Sequence, residues 1–220
     1  MNIKPIATIK NDLPEKFGVP KQSGLAASFK SKIVFEREFA DHEAFRGLEE
    51  FSHIWVIWGF SETGGKWSPT VRPPRLGGNT RMGVFATRSP FRPNGLGLSS
   101  VRLEKVEFTE NGGCELTVSG ADMKSGTPVY DIKPYLAEFD SHPDAFSGFA
   151  SGETPRLMVT DENGCTDVFS PERRKALFEL LSFEIRPQYH EDGKTYRLSF
   201  ADKTVSFRII GETAEILEIK

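Results

Sequence analysis

With 220 residues, 38% of them hydrophobic, and 18 Phe, the chain can bury one substantial core plus a small second unit, and a disordered chain is excluded. A formal net charge of −3 excludes a generic nucleic-acid coat protein, whose binding comes from phosphate neutralisation by Lys and Arg. The first residues alternate polar and apolar, and no run reaches the roughly 18 apolar residues of a membrane span, so a cytoplasmic protein is expected.

Ile3, Ile6 and Ile9 mark a short extended segment, ended by the Pro- and Gly-punctuated loop from Lys10 to Gly24. Lys32 to Phe39 reads as a strand, and Asp41 as the cap of a short helix with Ala44, Phe45 and Leu48 at helical spacing, ending near Glu50. FSHIWVIWGF, Phe51 to Phe60, is almost continuously apolar and predicts a central strand buried on both faces. A Gly-, Pro- and Arg-rich loop from Ser61 to Thr80 leads to a strand Arg81 to Ala86 and then to the segment TRSPFRPNGLGLSS. Val101 to Phe108 and Cys114 to Ser119 alternate around Glu110-Asn111-Gly112-Gly113, a hairpin turn signal. Lys124-Ser125-Gly126 then turns into a short strand that delivers Asp131-Ile132-Lys133-Pro134-Tyr135. Short strands with antiparallel turn signals, and no alternation of strands with helices, predict a mainly β domain over 1–141, a small barrel or sandwich.

From 142 to 156 the composition shifts to Ser, His, Pro, Gly and Phe, as in a linker. Ser170-Pro171-Glu172 opens a helix with Leu177, Leu180 and Leu181 as its buried stripe. Asp192-Gly193 turns two strands, with Tyr196, Leu198 and Phe200 alternating in the second, and Val205, Phe207 and Ile209 mark another. Residues 157–220 thus form a small α+β appendage, of a size that is marginal alone and is expected to dock on the main domain. Cys114 and Cys165 are far apart and the four His are scattered, so both thiols read as reduced and structural and no metal site is expected.

Walker, HExxH, GxSxG and dinucleotide-loop signatures are missing. Chemistry concentrates in three places. Lys66, Arg72, Arg75, Arg81, Arg88 and Arg92 form a cationic band that contains no Asp or Glu, which suggests a localised polyanion site. From Arg88 to Ser99, two prolines fix φ while Arg88, Arg92 and Asn94 offer fixed donors, suiting a ligand with phosphates or a carboxylate; a rigid turn with solvated arginines fits the same residues. Asp131 and Lys133 share one face of a strand by the period of two, placing an acid beside a base or making a plain surface ion pair. Tyr135, after the strand-ending Pro134, sits at a rim where its ring can stack on a base.

GVFATRSPFRPNGLGLS and SGTPVYDIKPY, preceded by EEFSHIWVIWGF and VRPPRLGGN, closely resemble the TrmO (TsaA-like, YaeB) family of tRNA methyltransferases, from Ile3 to about Ser141. Arg186-Pro187-x-Tyr189 is similar to the C-terminal extension of bacterial members. The resemblance implies a homodimeric β-barrel enzyme that takes S-adenosylmethionine and methylates N6 of threonylcarbamoyl-adenosine just 3′ of the anticodon in threonine tRNA. It places cofactor contacts on Gln22, Ser23 and Gly24, on Ser61 and Glu62, on Arg88 and Leu98, and on Lys124, Ser125 and Gly126. The chain departs from the family at Gly95-Leu96, where Pro-Ile is common, at Ser125, where Asp is usual, and at Phe183-Glu184-Ile185, where Asp-Pro-Arg is expected.

On this reading Arg72, Arg75, Arg81, Arg92, Asn94 and Lys133 contact the tRNA, Asp131 acts as base or orienting group for N6, and Tyr135 stacks on an unpaired base. A non-catalytic RNA-binding β-module would also account for the cationic band, and a methyltransferase acting on a small molecule would also account for the pocket.

Overall fold

The structure, a computed structural model, describes residues 2–152, 154–183, 185 and 193–220. Arg186-Pro187-x-Tyr189, Glu184 and Asp192 of the sequence reading lie outside them.

Eight strands belong to the first part of the chain: β1 (Ala7–Lys10), β2 (Lys30–Phe35), β3 (His53–Gly59), β4 (Thr70–Val71), β5 (Met82–Gly83), β6 (Leu96–Phe108), β7 (Cys114–Ser119) and β8 (Pro128–Pro134). Six of them close a barrel in the order β1-β2-β7-β6-β3-β8, while β4 and β5 form a separate hairpin. Alternation decides which side chains fill the barrel. Ala7, Ile9, Ile33, Ile54, Val56, Trp58, Val101, Leu116, Val118 and Val129 are all buried there.

Every neighbouring pair in the barrel is antiparallel. The connections 11–29, 60–95 and 120–127 therefore all leave one end, and 36–52, 109–113 and the exit after Pro134 leave the other. Three connections, the longest among them, are thereby gathered at one mouth of the barrel.

Several elements differ from those expected. The helix expected from Asp41 to Glu50 is two 3₁₀ turns, His42–Phe45 and Leu48–Glu50. Asp41 does accept a hydrogen bond from the Glu43 N–H, but Gly47 takes φ +82° and stops the helix from continuing. The strand read from Lys32 to Phe39 is Lys30–Phe35, after which Arg37–Phe39 turns as a 3₁₀ helix. Expected strand Arg81 to Ala86 is the two-residue β5 followed by a 3₁₀ turn, Val84–Ala86. Finally, β3 buries one face only: Ile54, Val56 and Trp58 point inward, while His53, Trp55 and Ile57 are half-buried on the outer wall. The continuous apolar run reflects a barrel stave whose outer face carries its own aromatic cluster.

Beyond the barrel come α1 (Ala137–Asp140), β9 (Met158–Thr160), α2 (Pro171–Ser182), β10 (Thr195–Phe200), β11 (Lys203–Ile210) and β12 (Thr213–Ile219). The sheet order is β10-β11-β12-β9, with β12 and β9 parallel. Ser170 caps α2 by accepting from the Arg173 N–H, Pro171 takes the first turn, and Ala176, Leu177, Leu180 and Leu181 are buried against the sheet. This second core also takes Leu13, Ala26 and Phe29 from the β1–β2 connection, with Phe17, Val19 and Leu25 packed against it. Arg173 donates to both Asp12 carboxylate oxygens at 2.9 and 3.1 Å, and Ser28 N–H donates to Glu179 at 2.6 Å. The segment 11–29, strung between two barrel strands, thus packs into the second core. No helix among the described residues is long and apolar enough to cross a membrane.

Candidate active site

Gln22, Ser23 and Gly24 lie in the connection 11–29, Ser61, Glu62 and Arg88 in 60–95, and Lys124, Ser125 and Gly126 in 120–127. All nine therefore sit at the same barrel mouth, and specific contacts tie the three connections together. Arg88 Nη1 donates to Gln22 Oε1. Lys124 Nζ pairs with Glu62 at 2.7 Å, and that partner holds the Glu62 carboxyl below its ordinary range. The Gly24 N–H donates to the Gly120 carbonyl at 2.8 Å, an approach so close that a Cβ on Gly120 would stand 3.1 Å from Gly24 Cα. The N–H groups of Ser125 and Gly126 donate to Leu13 and Ile9 carbonyls, each at 2.8 Å, anchoring the last turn to β1.

Beneath this mouth lies a chain of hydrogen bonds that the sequence did not reveal. The Trp58 indole N–H donates to Ser99 Oγ at 2.9 Å inside the barrel, and Ser99 Oγ donates to Asp122 Oδ1 at 2.6 Å. Burial raises the Asp122 carboxyl above its ordinary value, opposed by the Ser99 bond, the nearby Arg88 charge and the Ser23 N–H. Its only local signal was an acid just after Ser119-Gly120-Ala121, and its burial depends on β6 and β3.

The outer wall adds a second set. Register aligns Leu98 with Ile57 and Ile57 with Asp131. Leu98 and Asp131 therefore flank Ile57 on one outward face, two strand spacings or about 10 Å apart. Asp131 accepts from the Ile132 N–H at 2.9 Å and pairs with Lys133 at 3.2 Å, both side chains being well exposed. Tyr135 is not brought to the mouth. It lies past the far end of β8, its ring 5.5 Å from Trp55 and 6.2 Å from His53. There Trp55 Nε1 donates to Asp140 at 2.9 Å, and this bond together with that of the Leu136 N–H keeps the Asp140 carboxyl below its usual range.

The cations of the band are exposed apart from the half-buried Arg92. Arg81 donates to Thr70 Oγ1 at 3.0 Å, Arg92 to the Val84 and Thr87 carbonyls at 3.2 and 2.7 Å, and Arg75 to the Ser151 and Gly152 carbonyls at 3.0 and 2.7 Å. These bonds fix the orientation of the guanidinium groups. Asn94 is exposed at the start of β6, its carbonyl accepting from the Leu96 N–H at 2.6 Å.

At the mouth, a guanidinium (Arg88), a half-buried carboxylate (Asp122), hydroxyls and exposed glycine backbone stand together. Gly24 at φ +80° and Gly126 at φ +83° have open space where a Cβ would point. This donor set suits a ligand carrying both charges plus hydroxyl groups. The closed barrel with this polar mouth beside a cationic loop places the chain in a β-barrel class, distinct from the doubly wound one.

The family model for the tRNA-methyltransferase O N-terminal domain matches residues 8–141. The chain belongs to the TrmO family. It is 39% identical to a tRNA (adenine(37)-N6)-methyltransferase of Escherichia coli strain K12, over 98% of this chain and 96% of that protein. It is 43% identical to a putative S-adenosylmethionine-dependent methyltransferase of Pseudomonas aeruginosa, over 72% of this chain and 64% of that one. The crystal structure of TrmO from Pseudomonas aeruginosa superposes with a TM-score of 0.79 at 30% identity, covering 100% of this chain and 98% of that chain. The C-terminal appendage is therefore included in the structural likeness.

Proposed function

We propose that this protein is an enzyme that transfers a methyl group from S-adenosylmethionine to N6 of an adenosine beside the anticodon of a tRNA. The observation that carries the reading is the convergence of Gln22 to Gly24, Ser61 and Glu62, Arg88, and Lys124 to Gly126 on one barrel mouth, tied by the Arg88–Gln22 and Lys124–Glu62 contacts and continuous with a cationic loop. Full-length likeness to proteins named for this activity supports it.

When bound, the cofactor supplies an electrophilic methyl on sulfur. Arg88 neutralises its carboxylate, Asp122 accepts from an ammonium or hydroxyl group, and Gly24 and Gly126 allow backbone approach. Leu98, 58% exposed on the outer wall, gives an apolar contact at the edge of that site. In-line displacement requires chiefly that the amine be held against the methyl. Asp131 faces outward in the same cross-strand row as Leu98 and would accept the N6 proton or orient that group, with Lys133 paired to it at 3.2 Å. Arg72, Arg75, Arg81, Arg92 and Asn94 hold phosphates around the anticodon loop. Tyr135 makes its contacts with Trp55 and His53 at the opposite rim, so within one protomer it acts through packing.

Threonylcarbamoyl-adenosine in threonine tRNA is the substrate, and the active form is a homodimer. Residues 1–141 supply the catalytic unit, 142–156 the linker and 157–220 the appendage. The test is incubation of the purified protein with tritiated-methyl S-adenosylmethionine and bulk tRNA from cells lacking the protein, followed by mass spectrometry of nucleosides. Label in an N6-methylated adenosine is expected, lost in Arg88→Ala; tRNA that stays unlabelled with the wild-type protein overturns the reading.

A further inference from the structure

The connection 60–95 exposes three large aromatic rings that neither core accounts for. Trp67 is 55% exposed, Phe85 74% and Phe91 43%. Backbone bonds join the segments that carry them, although the three are far apart along the loop. Ser68 N–H donates to the Phe91 carbonyl at 3.2 Å, which sets Trp67 beside Phe91, and Val84 N–H donates to the Pro69 carbonyl at 3.0 Å, which sets Phe85 against the same strand. The β4–β5 hairpin, with Thr70 opposite Gly83 and Val71 opposite Met82, holds this arrangement. Arg92 lies over the Phe85 ring at 5.7 Å while bonded to the Val84 and Thr87 carbonyls, so ring and cation are fixed as a unit.

Exposed aromatics that are ordered by backbone bonds and interleaved with cations are built for flat, negatively charged partners. Between Lys66 and Arg92 there is no Asp or Glu. A purely apolar partner would leave that charge unmatched, whereas a single-stranded nucleic acid matches both features: phosphates meet the guanidinium groups and unpaired bases meet the rings. The connection also holds Arg88, which contacts Gln22 at the barrel mouth.

We propose that Trp67, Phe85 and Phe91 form a stacking platform for unpaired bases flanking the target adenosine, presenting the loop of a folded RNA to the barrel mouth. This rests on the tRNA methyltransferase reading and adds residues to it. Stacking is tolerant of base identity, so the platform supplies affinity and orientation and leaves recognition of the target base to the mouth.

The experiment measures binding of a fluorescein-labelled anticodon stem-loop RNA by anisotropy across a salt series, for wild type, Phe85→Ala, Trp67→Leu, Phe91→Ala and Arg72→Ala. Each aromatic truncation is expected to weaken binding by about 5- to 100-fold at every salt concentration, with the slope of log Kd against log salt unchanged. Arg72→Ala is expected instead to reduce that slope by about one. Phe85→Trp restores binding, and S-adenosylmethionine affinity by calorimetry stays at the wild-type value in all the aromatic variants. Wild-type affinity in the three truncations overturns the platform, as does a loss of RNA binding that follows dissociation of a dimer in sedimentation velocity. A wild-type protein that binds no RNA overturns the methyltransferase reading and the platform together, and is seen before any variant is compared.

Discussion

Asp122 is held in a state that works against the stability of the empty protein. Its carboxyl is raised above 3.8 by burial, so over the pH range between the unfolded and folded values the native state binds more protons than the unfolded chain. The stability it confers is therefore present below the unfolded value and is lost as pH rises through the folded one. Asp122→Asn keeps an acceptor for Ser99 and removes the charge. We expect its melting temperature to gain on the wild type as pH rises from about 4 to neutrality, while its S-adenosylmethionine affinity falls about tenfold for want of a charged acceptor. Paired calorimetric scans and titrations check both; a variant that loses stability at neutral pH and binds normally would show that Asp122 has a structural role only. Cys114 contrasts with it: burial pushes its thiol up to about 11, and a fully buried thiol in a barrel stave has no part in the chemistry.

At the level of the strands, elements specified by local pattern are legible in the sequence. The β6–β7 hairpin follows from two period-two runs around Gly112, and α2 follows from its Ser-Pro-Glu start and leucine stripe. The beginning of β6 was missed because Gly97 and Gly95 look like loop residues. The structure gives Gly97 a packing reason: it lies opposite Trp58, and a Cβ there would come within 2.2 Å of the Trp58 ring. That ring fills the space inside the barrel while its N–H reaches Ser99. Gly97→Ala should therefore overpack the barrel, cost about 1–3 kcal/mol, and displace the indole from Ser99, with weaker cofactor binding as a second effect. Denaturant unfolding followed by tryptophan fluorescence tests this, and an unchanged midpoint would mean that the indole moves without loss. The site was legible in part for the same reason: loop residues with unusual chemistry stand out, whereas the Trp58–Ser99–Asp122 chain joins residues 41 and 23 positions apart and leaves no local pattern.

Across the whole molecule, the appendage and the barrel mouth share one piece of chain. Gln22, Ser23 and Gly24 are bracketed by Phe17 and Val19 on one side and Leu25, Ala26 and Phe29 on the other, all packed into the appendage core. Leu198 of β10 lies so close under Gly18 that a Cβ on Gly18 would meet its Cδ1 at 2.2 Å. The Ala201 N–H donates to the Asp12 carbonyl at 2.7 Å, closing the same contact from the β10–β11 turn. Packing in the C-terminal sheet thus sets the position of the loop proposed to hold the cofactor, although no appendage residue is proposed to touch it. Leu198→Ala removes a fully buried side chain, at a cost of about 2–5 kcal/mol. Part of that loss is expected at the mouth: faster amide exchange over residues 13–29 and S-adenosylmethionine affinity lowered several-fold, with the barrel strands β6 and β7 still protected. Thr166→Ala, which removes a buried hydroxyl whose partner Asp161 lies outside the 11–29 segment, serves as a comparison that lowers the stability of the appendage. If the two variants weaken cofactor binding equally, the effect is global loosening; if Leu198→Ala alone does, the appendage acts as the support of the cofactor loop, and a barrel lacking it would fold with its mouth unset.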